Sequence, residues 1–154
     1  MMSRILVFHI VCFFTFCQVW SVEFVDGFFD YADNQCEIDL KIPAVTYKSW
    51  FNQDMVIVEE NNPQIEEYLR CWLVKRGIAN ENADLIEDKM LEWLQNDVYT
   101  YVKKDDIEKY PMEGRKVLVA DIAKECMQKY GVDNNVQGHI VQLYNCIIMG
   151  VSKL

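Results

Sequence analysis

Beyond residue 21 the chain carries four cysteines, Cys36, Cys71, Cys126 and Cys146, and one histidine, His139. Thiols can bridge, bind a soft metal or act as nucleophiles, and spacing decides among these. A structural zinc site draws on close pairs such as Cys-x-x-Cys, whereas these four are scattered along the chain. A nucleophile needs a base beside it, and His139 is the one candidate base of ordinary pKa. Alone on the terminal helix, it reads as a surface or packing residue. No glycine-rich phosphate loop occurs, and the adjacent carboxylates Glu66-Glu67 and Asp105-Asp106 point in different directions along a helix. The sequence therefore predicts no enzyme, no metal and no cofactor. An even set of cysteines in an oxidising compartment favours two disulfides. Four cysteines allow three connectivities, and spacing alone does not choose among them.

The compartment follows from the first residues. One basic residue, Arg4, precedes an apolar run from Ile5 to Phe16, and Val19-x-Ser21 offers a cleavage site. The run is short for a bilayer crossing, so residues 1–21 read as a secretory signal peptide and residues 22–154 as one domain. Cys12 and Cys17 leave with the leader, as does Arg4. The formal net charge of −9 then moves one unit further negative. An acidic surface argues against nucleic acid and anionic membrane as partners, because phosphate binding needs clustered Lys and Arg. No later stretch is long and apolar enough for stable membrane insertion.

Periodicity supplies the elements that must position the cysteines. Residues 24–40 read as a partly aromatic helix with Phe24, Phe28, Phe29, Tyr31 and Cys36. A short second helix follows Pro43 and carries Val45, Tyr47, Trp50 and Phe51. Met55–Val58 is β-prone but lacks a partner strand, which suggests a buried connector. Asn62-Pro63 starts a helix whose buried stripe is Ile65, Tyr68, Leu69, Trp72 and Leu73, and Gly77 ends it. Another helix starts at Asn82 or Asp84 and buries Leu85, Ile86, Met90, Trp93 and Leu94. Residues 96–111 are undecided between a loop and a frayed helix. Gly114–Tyr130 buries Val117, Leu118, Ile122 and Cys126. A last helix, capped by Asp133 or Asn134, buries Val136, Ile140, Leu143, Tyr144, Ile147 and Ile148. About six helices and essentially no sheet make an all-α domain, a compact bundle around an internal apolar cavity.

Large aromatics and methionines on helix faces are the candidate ligand-binding residues. For each one alone, core packing is the plainer reading. Together, Trp50, Phe51, Tyr68, Trp72, Met90 and Trp93 suggest a cavity lining, with Leu94, Leu118, Ile122, Tyr144 and Ile147 completing it. Buried Tyr and Trp need polar partners that a ligand can supply, and Met adapts to varied apolar shapes.

The segment Glu67-Tyr-Leu-Arg-Cys71-Trp-Leu-Val-Lys-Arg-Gly77-Ile-Ala-Asn-Glu-Asn82 resembles the insect odorant-binding (pheromone/general odorant-binding) family. There a helix reads Cys-x-x-x-Cys, followed by Lys-x-Gly and an Asp/Asn-Glu turn. Cys71 stands at that family's third cysteine and Glu67 at its second. Cys36 suits the first, Cys126 and Cys146 the fourth and sixth, and Gln137 the fifth. The two absent cysteines are the two that bridge each other, the pattern of the four-cysteine subgroup. The longer-than-usual separation of Cys71 and Cys126 places surplus chain at 96–111.

The resemblance implies Cys36–Cys71 and Cys126–Cys146 bridges. It also implies a secreted carrier of small hydrophobic ligands (odorant, pheromone or lipid-like), with a membrane receptor as a further partner. Related salivary proteins scavenge biogenic amines or eicosanoids; on that alternative, Glu67 and Glu125 are the candidate ammonium partners. An alternative of another class is a ligand-free secreted protein that interacts through its surface or serves a structural role. A filled interior favours that last reading.

Overall fold

A computed structural model describes residues 23–102, 112–131, 136 and 138–154. The leader, residues 103–111, the Asp133 and Asn134 caps and Gln137 lie outside the described residues. Among those described the chain is mostly helical, with α1 Tyr31–Leu40, α2 Ala44–Lys48, α3 Pro63–Lys75, α4 Glu87–Trp93, α5 Tyr99–Val102, α6 Met112–Tyr130 and α7 Ile140–Ser152. A π-helical turn, Leu94–Val98, joins α4 to α5. No described helix is long and apolar enough to cross a membrane.

The N-terminal segment is a shorter helix than the sequence suggests. Gly27 has a left-handed φ of 83°, which interrupts the helix that Phe24–Phe29 would otherwise begin. Asp30 then caps α1: its side chain accepts from the Ala32 N–H at 2.7 Å, and Asp33 reaches back to the Asp30 N–H at 2.7 Å. That reciprocal box satisfies two amides that α1 leaves unpaired. Phe24, Phe28 and Phe29 form a non-helical aromatic strap over the interior.

α2 is also shorter than expected and ends at Lys48. Val45 points outward and is exposed, while Tyr47 is buried. Trp50 and Phe51 lie past the helix in a turn, where Phe51 pairs with Ile57 in an isolated antiparallel bridge. The β-prone Met55–Val58 stretch is indeed a connector, although Val58 is exposed. Its partner is a side chain on α7. The buried Asn145 amide accepts from the Ile57 N–H and donates to the Ile57 carbonyl, both at 2.9 Å. One amide thus does the work of a neighbouring strand.

α3 follows the sequence reading closely. Asn62 caps it, Pro63 occupies the first turn, and the five expected residues form its buried face. The left-handed Gly77 follows immediately. α4 starts later than expected, at Glu87. The Asn80 side chain accepts from the N–H groups of Asn82 and Asp84, folding residues 80–84 into a turn rather than a helix. Leu85 then bridges to Ala79, and Ile86 is largely exposed instead of buried.

On α6 the buried stripe is Val119, Ala123 and Cys126 rather than the face through Val117 and Leu118. Val117 is 64% exposed, and Leu118 is only half-buried. On α7 the expected face, Ile140, Leu143, Tyr144, Ile147 and Ile148, is buried throughout. His139 is exposed and precedes that helix.

The cysteines meet as the resemblance implies. Cys36 on α1 bonds Cys71 on α3, and Cys126 on α6 bonds Cys146 on α7, with Cα–Cα distances of 5.9 and 5.8 Å. The second bridge accompanies a close approach of its two helices. A Cβ placed on Gly150 would sit 2.7 Å from Ile122 Cγ2. Two outcomes follow from this packing. Gly150→Ala should cost about 1–3 kcal/mol, and Ile122→Ala in the same chain should recover part of it, a non-additivity that chemical denaturation of the single and double variants checks. Cys36→Ser, which opens the bridge to α3, should cost about 2–4 kcal/mol and lower the melting temperature by several degrees.

Candidate functional site

The interior is organised around three rings from three helices. Trp72 (α3) meets Trp93 (α4) edge to face with centroids 5.4 Å apart, and Trp93 stacks beside Tyr144 (α7) at 6.5 Å. With Leu69, these three line two small enclosed cavities, one on either side. The cavity toward α4 and α7 has a volume of about 20 Å³ and is walled by aliphatic residues such as Leu73, Ile78, Ile140 and Leu143. The other, of about 30 Å³, lies under the N-terminal strap and is bounded by Phe28, Phe29, Phe51, Tyr68 and Asp33. Each has room for about one water molecule.

Asp33 is the one carboxylate lining either of these cavities. It is 3% exposed, and no Lys, Arg or His pairs with it among the described residues. The Tyr68 hydroxyl donates to one carboxylate oxygen and the Asp30 N–H to the other. Burial pushes the carboxyl above the ordinary carboxylate range, while those bonds and a hydrogen bond from Trp72 pull it partly back. The same burial raises the phenols around it. Tyr47, stacked on Tyr68 at 4.9 Å, is pushed up to about 12, and Tyr68 and Tyr144 are raised further.

A charged clamp holds the rim of this chamber. The Arg76 guanidinium pairs with Asp30 at 2.5 Å and with Asp97 of the π-helical turn, and it lies 5.5 Å from the Trp72 ring centroid. The cap of α1, the end of α3 and the turn after α4 therefore share one cation. The Tyr101 hydroxyl donates to the Gly27 carbonyl at 2.8 Å and fastens the strap.

Of the residues expected to line a cavity, Trp72, Trp93 and Tyr144 face both cavities, Phe51 and Tyr68 the strap-side one, and Met90 and Ile147 the other. Trp50 packs edge-on against Tyr68 outside both, and Leu94 is sealed in the core. Leu118 and Ile122 also lie outside them, because α6 turns Val119 and Ala123 inward instead. Glu67 and Glu125 are exposed and border neither cavity. Sequence reasoning missed Asp33 and the strap phenylalanines. The Asp30-x-x-Asp33 spacing after Gly27 is a capping signal that could have located the acid, though not its burial. Among the described residues, no group of His, Cys, Asp and Glu is arranged to hold a metal. Compared with protein-family models, curated proteins and solved structures, the chain shows no match.

The raised Asp33 pKa has a definite sign in stability. Between the unfolded value and the raised folded one, the native state binds the proton more tightly, so stability is gained as pH falls through that window and lost as pH rises. The wild type should therefore gain stability relative to Asp33→Asn on acidification from neutral pH, and the difference should be flat above the raised pKa. Denaturation midpoints across pH check this. A wild type that loses ground to the variant on acidification would contradict the direction.

Proposed function

We propose that the chain is a secreted carrier of small hydrophobic ligands, bound among Trp72, Trp93 and Tyr144. The observation that carries this reading is the pair of enclosed cavities sharing one aromatic wall, almost wholly apolar except for a single buried acid. Apolar burial at ~25 cal/mol per Å² supplies affinity in such a site, and one or two polar groups orient the ligand. The resemblance to insect odorant-binding proteins and the two disulfides support the same reading, with the leader directing export and a membrane receptor as the downstream partner.

At about 20 and 30 Å³ the cavities are smaller than any such ligand, so binding requires the aromatic wall or the strap to move. A rigid interior instead favours the ligand-free reading, in which the protein acts through its surface. Asp33 favours a second ligand class. A buried carboxylate ringed by Phe28, Phe29, Phe51 and Tyr68 suits a protonated amine, the ring faces and the charge both attracting the cation. On this scavenger reading Asp33 takes the role assigned to Glu67 and Glu125 from sequence.

Titration of the mature protein with N-phenyl-1-naphthylamine tests the carrier reading. The expected result is saturable, micromolar-scale binding, reversed by a panel of alcohols, esters and fatty acids. No binding across the panel overturns it in favour of the ligand-free protein. For the amine reading, calorimetry with serotonin and histamine should show affinity that falls at least about tenfold in Asp33→Asn. Amine affinity unchanged in that variant removes Asp33 from the role.

A further inference from the structure

The cavity bordered by Leu73 and Ile140 is separated from solvent on one side by very little. Leu85 and Met90 line it, and the same two residues line an open groove of about 460 Å³ between α4 and α6. The wall between groove and cavity is thus formed by two side chains, which are 9% and 4% exposed. The groove continues over Leu91 of α4 and over Ala120, Ala123 and Met127 of α6.

Two properties of this wall matter. Met90 is an unbranched thioether with three rotatable side-chain bonds, so it can vacate its position without backbone movement. It also sits on a seven-residue helix that runs straight into a π-helical turn, a local widening of the backbone that recurs at functional sites. The groove lining contains no aromatic ring, and alanines form part of it, so it admits a slender chain and disfavours a bulky ring system. Glu87, Asp121 and Lys124 lie along it and can keep a small polar head in water.

We infer that the α4–α6 groove is the outer half of the ligand site, with Met90 as a movable partition, and that the occupant is an unbranched aliphatic chain with a small polar head. The tail passes the Met90 position into the cavity against Trp72 and Trp93, and the head stays in the groove. This rests on the carrier reading and adds to it a second compartment, a route and a ligand shape. Continuity with the internal cavity is what distinguishes this groove from an ordinary surface depression.

The test uses the mature protein with dodecan-1-ol as ligand, followed by calorimetry and by stopped-flow displacement of N-phenyl-1-naphthylamine. Ala120→Phe, which fills the groove, should weaken dodecanol about tenfold, while Val117→Phe, on the exposed face of the same helix, should stay within about twofold. Met90→Ala should raise both the association and dissociation rates. If Ala120→Phe does not fold, methionine-methyl NMR of the wild type decides: dodecanol should shift Met90 and Met127 and leave Met55 and Met149 in place.

Dodecanol affinity and rates unchanged in both Ala120→Phe and Met90→Ala, or methyl shifts confined to Met55 and Met149, overturn the inference. Naphthylamine binding without dodecanol binding overturns it and leaves the carrier reading standing. Absence of both overturns the two together.

Discussion

The edge-to-face contact of Trp72 with Trp93 is the interaction on which the interior depends. It joins α3 to α4, and through Tyr144 it reaches α7. Rings packed this way gain from their quadrupoles as well as from burial, but flat, rigid side chains tile space imperfectly. Small voids are left on both faces of the wall, where flexible aliphatic chains would have filled in. The two cavities are thus a by-product of building the core from tryptophan and tyrosine. Their identity as halves of one binding site rests on whether those rings move.

Polar groups set where that wall stands. Arg76 lies against Trp72 while pairing with Asp30 and Asp97, so the cap of α1 and the turn after α4 are fixed relative to the ring between them. Asp33 serves α1 as a capping-box residue and also accepts from Tyr68. Its burial is costly, and the hydrogen bonds offset part of that cost. Asn145 plays the corresponding part on α7, holding the connector at Ile57 by a paired amide contact. Each of these side chains satisfies backbone or charge that the helices leave over.

Legibility from sequence followed the strength of the local signal. α3 and α7 were readable because each combines an unbroken 3.6-residue apolar stripe with one polar face, and α3 has Asn62-Pro63 before it and Gly77 after it. α6 was readable as a helix but not in its orientation. Apolar residues at 117, 118, 119 and 122 surround much of its circumference, so periodicity could not say that Val119 faces in and Val117 out. The start of α4 was misplaced because Asn80, a plausible loop residue, uses its side chain to capture the Asn82 and Asp84 amides. Of the ligand-site residues, those on α3, α4 and α7 were found by their size and spacing. Asp33 was missed because nothing local distinguishes a buried acid from a solvated one.

The sequence by itself determined a helical chain with two bridgeable cysteine pairs and a core rich in aromatic rings, since helix periodicity, caps and composition act over a few residues. Only the tertiary structure decided which faces meet. Docking α1 on α3 buries Asp33 beside Tyr68, and α4 lying between the interior and α6 makes Met90 a wall shared by a cavity and a groove. These depend on contacts between residues far apart in the chain. Such contacts are chosen by the summed packing of all the helices, and no local pattern encodes them.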